Sequence, residues 1–237
     1  MNSDISTGAG ALLPVSRHGR VEINPSILAA DFCNLAKAVK DAERSGADLI
    51  HVDYMDGHYV HNFSFGLDVI PALKRCTYLP IEVHLEIENP ENFIGDFAQA
   101  GADRIIACED TCHDPSGTLE AIHRAGIAAG ISLNPGQPVD VISGYVSQLD
   151  ILLLLAVSPG FGGQVLTSSV FPRISAARRL LDVSGAAARL GVDGGVNTGN
   201  IWELVCAGAD SLVVGTSVFQ DGRVAHNIKT LRSLVDN

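Results

Sequence analysis

Within LIHVDYMDGHYV, Leu49 to Val60, an imidazole and a carboxylate stand two residues apart in an apolar run: His51 and Asp53. In a β-strand, positions i and i+2 share a face, so these side chains point the same way. His84, in IEVHLE, and Asp193, in GVDGG, place the same two residue types at the ends of other apolar runs. Each alone reads first as a polar group satisfied in a core or at its rim. Four at matching depths are different, because burying so many unpaired charges is costly. Two imidazoles and two carboxylates around one point form a mixed nitrogen and oxygen donor set for one divalent cation. Zinc, iron, manganese or cobalt would suit it.

Such side chains meet only if the fold gathers the ends of their strands, and a repeat shows how. SGADLIHVD from Ser45, AGADRIIAC from Ala100 and AGADSLVVG from Ala207 resemble one another, with AGIAAGISL from Ala125 a looser copy. The glycine suits the left-handed position that ends a helix, and the apolar run suits a strand buried on both faces. Each stretch is therefore an α-to-β joint. The interval from Gly101 to Gly208 is nearly twice that from Gly46 to Gly101. A unit of roughly 27 residues fits both, about one strand plus one helix with short loops.

Strand-like runs lie at 21–28, 48–53, 80–85, 103–108, 127–133, 150–156, 188–193 and 211–215, with amphipathic segments such as 34–45 and 169–182 between them. Alternating strands and helices imply a parallel sheet. Eight units predict one closed (β/α)8 TIM barrel over 21–237, after an N-terminal tail, 1–20, expected to be flexible. A doubly wound open sheet is the alternative; it usually places Gly-x-Gly-x-x-Gly after the first strand, and none is there.

In such barrels the site lies where strands end. His51 and Asp53 end the second run, His84 the third and Asp193 the seventh, while Ser26 sits near the end of the first. Three glycine-rich loops follow the last strands: SPGFGGQ (Ser158 to Gln164), DGGVN (Asp193 to Asn197) and GTS (Gly215 to Ser217). Glycines let backbone N–H groups approach an anion. One such loop reads as a plain turn; three on adjacent strands argue for a bound phosphate.

The 237 residues are 46% hydrophobic, enough for a substantial core, and the net charge of −11 argues against nucleic acid or an anionic membrane as partner. No apolar run is long enough to span a membrane, and 1–20 lacks the pattern of a signal peptide. The five cysteines are scattered without a Cys-x-x-Cys pair, which points to a reducing, cytoplasmic setting.

HVDYMDGHYVHN, VHLEIENPE, LNPG, SPGFGGQ and VDGGVN, with PSILAADF near the start, resemble in order the signature segments of the ribulose-phosphate 3-epimerase family, over about 23–219. The resemblance implies a ribulose-phosphate-binding (β/α)8 barrel with one divalent metal ion, assembled as a homo-oligomer. It implies epimerisation at C3 between D-ribulose 5-phosphate and D-xylulose 5-phosphate through a metal-stabilised enediolate. Carried over residue by residue, His51, Asp53, His84 and Asp193 would hold the metal, and Asp53 and Asp193 would be the acid/base pair. Substrate contacts would fall on Ser26, His84, Gly160, Phe161, Gly162, Gly163, Gly194, Gly195, Gly215 and Thr216.

Departures from the family pattern fall on the walls. Met55 is retained from the methionines that cover the sugar, but Glu86 replaces one after Leu85, and Ala156 is expected to replace another at the end of the sixth strand. Cys108 stands where many members carry a histidine. Glu86 could bond a sugar hydroxyl, pair with a nearby cation or turn outward to water. Asp56 is expected to support its loop, while His58 and His61 could close over the sugar. Two further readings stay open: a paralogous 3-epimerase for another ketose phosphate, and a non-catalytic sugar-phosphate-binding barrel. A Schiff-base aldolase needs a lysine at a strand end, and none of the eight runs contains one.

Overall fold

A computed structural model describes residues 18–236. The strands are β1 (Glu22–Pro25), β2 (Ile50–Met55), β3 (Ile81–Glu86), β4 (Arg104–Cys108), β5 (Ala128–Leu133), β6 (Ile151–Leu155), β7 (Arg189–Asp193) and β8 (Ser211–Val214). They form one parallel sheet in the order β1-β8-β7-β6-β5-β4-β3-β2. The seam between β1 and β2 is closed by a parallel bridge, Ser26 to His51, and by a bond from Asp48 N to Ile23 O at 3.1 Å. The result is a (β/α)8 barrel. Residues 1–17 of the expected tail lie outside the described residues.

The helices are α1 (Leu35–Arg44), α2 (Val69–Lys74), α3 (Ile94–Ala100), α4 (Pro115–Arg124), α5 (Val170–Val183), α6 (Ile201–Ala207), α7 (Thr216–Phe219) and α8 (Val224–Val235). Helical periodicity carries each apolar stripe inward. In α5, Val170, Ile174, Ala177 and Leu181 are buried, at spacings of one turn. β5 is followed instead by a 3-10 segment, Val139–Gly144. The glycines of the repeat do what their spacing predicts. Gly46, Gly101, Gly126 and Gly208 adopt φ of 94°, 106°, 78° and 121°, ending helices so that the chain turns into a strand. Among the described residues, no helix is long and apolar enough to cross a membrane.

Side chains fill the barrel interior in layers. At the bottom, Arg104 bonds Glu82 Oε2 at 2.8 Å and Glu22 Oε2 at 3.2 Å, and Arg189 Nε meets Glu22 Oε1 at 2.8 Å. On the side of β4, β6 and β8 the interior is apolar: Ile106, Ile151, Leu153, Leu155 and Val213. On the side of β2 and β3 polar side chains continue from Glu82 up to the C-terminal mouth.

Candidate active site

β2 and β3 run beyond the segments 48–53 and 80–85, to Met55 and Glu86. Alternation sends His51, Asp53 and Met55 of β2 inward, and with them Glu82, His84 and Glu86 of β3. The register pairs them in rows: His51 with Glu82, Asp53 with His84, Met55 with Glu86. Asp193 comes from the end of β7 and Ser26 from the residue after β1.

These strands bring the four expected metal-binding side chains together. His51, Asp53, His84 and Asp193 each offer a ligand atom, and all four atoms lie within 4.8 Å of one another. Asp53 is central. Its Oδ1 is 2.9 Å from His51 Nε2 and 3.2 Å from His84 Nδ1, while its Oδ2 accepts a bond from Ser26 Oγ at 2.7 Å. The far nitrogen of each ring is also held. His51 Nδ1 lies 2.7 Å from Glu82 Oε1, and His84 Nε2 lies 2.9 Å from Ser132 Oγ. Such outer partners fix the tautomer and turn the other nitrogen toward the centre.

Burial and mutual charge set the ionisation of these groups. Burial opposes charge on His51, but Asp53 and Glu82 outweigh it and raise its pKa to about 10. His84 is raised in the same sense: burial opposes its charge and Asp53 prevails. Burial likewise works against the Asp53 carboxylate, yet the two imidazoles drive its pKa well below the usual range. Asp193 goes the other way; burial, then the neighbouring Asp53 charge, lift it to about 6.

A cavity of about 290 Å³ opens above this cluster. Ser26, Asp53, Met55 and Glu86 line one side; Gly160 to Gly163 with Phe161, Asp193 to Gly195, Gly215 and Thr216 line the other. Every expected contact residue is on this surface except His84, which with His51 is fully buried beneath it. The Gly-Gly pair is sterically required. Gly194 and Gly195 have φ of 105° and 70°, and a Cβ on Gly195 would stand 2.4 Å from the Leu166 backbone nitrogen.

Some expectations change. Ala156 is buried in the outer layer and lines no part of the cavity; the apolar wall at β6 is Leu155. Glu86 does not turn to water: it is 4% exposed, with Oε1 3.7 Å from His84 Nδ1. Cys108 lies behind the site, its Sγ 3.7 Å from His84 Nε2. Asp56 supports its loop, accepting from the N–H groups of His58, Tyr59 and Glu88 at 2.8–2.9 Å. His58 and His61 are exposed and outside the cavity lining.

Sequence reading missed Glu82, Ser132 and Asn62. Asn62 Nδ2 donates to Gly160 O at 2.7 Å, tying the loop after β2 to the loop after β6. Glu82 had a readable signal, since IEVHLE places it two residues before His84 and therefore on the same face.

An eight-stranded parallel barrel with two histidines and two aspartates converging in its C-terminal mouth defines a TIM-barrel enzyme with a candidate metal centre. The sequence pattern of the ribulose-phosphate 3 epimerase family matches residues 22–219. The ribulose-phosphate 3-epimerase of Bacillus subtilis is 43% identical over 84% of this chain and 92% of its own. The chloroplastic ribulose-5-phosphate-3-epimerase of Arabidopsis thaliana is 40% identical over 89% of this chain and 76% of its own. The chain belongs to the ribulose-phosphate 3-epimerase family. In fold alone it is also similar to orotidine 5'-phosphate decarboxylase from Pyrococcus horikoshii, at 16% identity and a TM-score of 0.68, over 91% of this chain and 99% of that one.

Proposed function

We propose that the protein interconverts D-ribulose 5-phosphate and D-xylulose 5-phosphate by inverting C3. One observation carries the reading: Asp53 and Asp193 reach a common point from strands three places apart around the ring, β2 and β7. A proton next to a ketone is only weakly acidic. Inversion needs one group to remove it from one face and a second to return a proton to the other, and a single base tends to return it to the face it left. Two carboxylates arriving from different sides of the barrel meet that requirement.

The donor set of His51, Asp53, His84 and Asp193 fits one divalent metal ion such as zinc, iron, manganese or cobalt. When bound, such an ion supplies a positive charge that offsets the negative charge developing on the substrate oxygens. Ser26 keeps one oxygen of Asp53 in place, and Glu82 and Ser132 hold the two imidazoles in orientation. The glycine loops after β6, β7 and β8 bring backbone to the opposite side of the cavity, where they receive the phosphate. Glu86 on the wall favours a second reading, a 3-epimerase for another ketose phosphate.

Proton NMR in deuterium oxide with ribulose 5-phosphate tests the proposal. Solvent deuterium at C3 together with inversion is the expected result. Retention of the C3 proton over many enzyme equivalents of time would overturn it, and a tenfold preference in kcat/KM for another ketose phosphate would favour the second reading.

A further inference from the structure

Glu86 is the last residue of β3, two positions beyond His84 and on the same inward face. It is 4% exposed and lines the cavity. Its Oε2 is buried with no hydrogen-bond partner among the described residues. Its Oε1 is 3.7 Å from His84 Nδ1, beyond hydrogen-bonding range. A buried acceptor left unpaired is costly, and one kept at the wall of a ligand cavity calls for a partner that the ligand brings. Its register neighbour across the sheet is Met55, which supplies no donor from its side chain.

The ring of strands fixes which part of a ligand arrives there. β3 and β7 stand opposite each other in the order of eight. Glu86 therefore lines the mouth opposite the Gly194–Gly195 loop, with Asp53 on the strand next to its own and Asp193 next to that loop. This step rests on the proposed epimerisation. With the phosphate on C5 held at the glycine loops and C3 at the aspartates, the carbon chain runs on through C2 toward β3, and C1 is what reaches Glu86.

We propose that Glu86 forms a subsite for the hydroxyl on C1, the end of the ketose phosphate remote from its phosphate, and so selects a hydroxymethyl ketone over a methyl ketone. A carboxylate accepts the hydroxyl proton, and a carboxylic acid pairs with the same oxygen as donor or acceptor. The subsite works in either form. A methyl group at C1 leaves Oε2 buried and unpaired, which penalises that ligand.

The test compares D-xylulose 5-phosphate with 1-deoxy-D-xylulose 5-phosphate, which lacks only O1. Deuterium exchange at C3 gives kcat/KM for each, with the wild type, Glu86→Met and Glu86→Gln, and bound metal is measured in all three. The wild type is expected to prefer the hydroxylated compound by roughly 10- to 100-fold. Glu86→Met is expected to lose most of that preference, and Glu86→Gln to keep a large part of it. An unchanged preference in Glu86→Met overturns the assignment, as does a wild type indifferent to O1. Loss of bound metal in Glu86→Met overturns it too, by making Glu86 a metal ligand. If the wild type exchanges neither compound at C3, the epimerisation reading fails separately. The subsite is then read from equilibrium binding of the two compounds to the wild type and Glu86→Met, with the same outcomes deciding.

Discussion

At the scale of single residues, Asp53 has more duties than any neighbour. It touches His51, His84 and Ser26 and also lines the cavity. Asp193 lines the cavity from the other side. Replacing either with asparagine removes a proton carrier while keeping its shape. Asp53→Asn and Asp193→Asn are each expected to lower kcat roughly 100- to 10,000-fold. Metal content measured alongside separates the two roles: a variant that binds metal normally yet is slow has lost its proton carrier. Near-normal turnover in either variant would sink that residue's assignment. The four donors were legible in the sequence because each is a polar residue in an apolar strand. Leu155 was not, and the reason is physical. ILLLL carries no polar marker, all five side chains are buried, and with a side-chain period of two a slip of one residue exchanges the two faces. The wall position was therefore read one residue late, at Ala156.

At the scale of elements, repeat and loop chemistry were the readable parts. A glycine before each apolar run marked four helix-to-strand joints, and all four have positive φ. The segment after β5 was harder. Pro138 precedes it, and the chain makes a 3-10 turn over Val139–Gly144 where an amphipathic helix was expected. The glycine loops invite a direct test. Gly195 combines φ of 70° with a backbone nitrogen 2.4 Å from where a Cβ would sit. Gly195→Ala must shift that loop, at about 1–3 kcal/mol of local strain. The strain falls beside the proposed phosphate position, not on the aspartates. The expected outcome is a folded protein whose KM for ribulose 5-phosphate rises by tenfold or more, with metal content unchanged. Steady-state kinetics with metal analysis checks it, and an unaltered KM removes this loop from the phosphate site.

At the scale of the whole molecule, the barrel is an incomplete ring. Seven seams are continuous parallel ladders, whereas β1 meets β2 through a bridge at Ser26 and His51 and the bonds between Ile23 and Asp48 below it. The candidate metal centre sits against this weak seam. His51 is half of the bridge, and Ser26 reaches over it to Asp53. The remaining donors come from β3 and β7, so one ion there would join three strands that lie on both sides of the seam. The unfolded chain does not hold these four groups together, so binding favours the folded state. At a free metal concentration one hundred times Kd the gain is about 2.7 kcal/mol. For a domain of this size that raises Tm by roughly 5 to 10 °C. Protein stripped with a chelator is expected to melt lower by that amount, and zinc or manganese is expected to restore it. His84→Ala should remove the response to added metal. Calorimetric scans of stripped and reloaded protein provide the measurement. Coincident melting curves would show that no ion ties the seam, and the four side chains would then be no more than a buried hydrogen-bonded cluster.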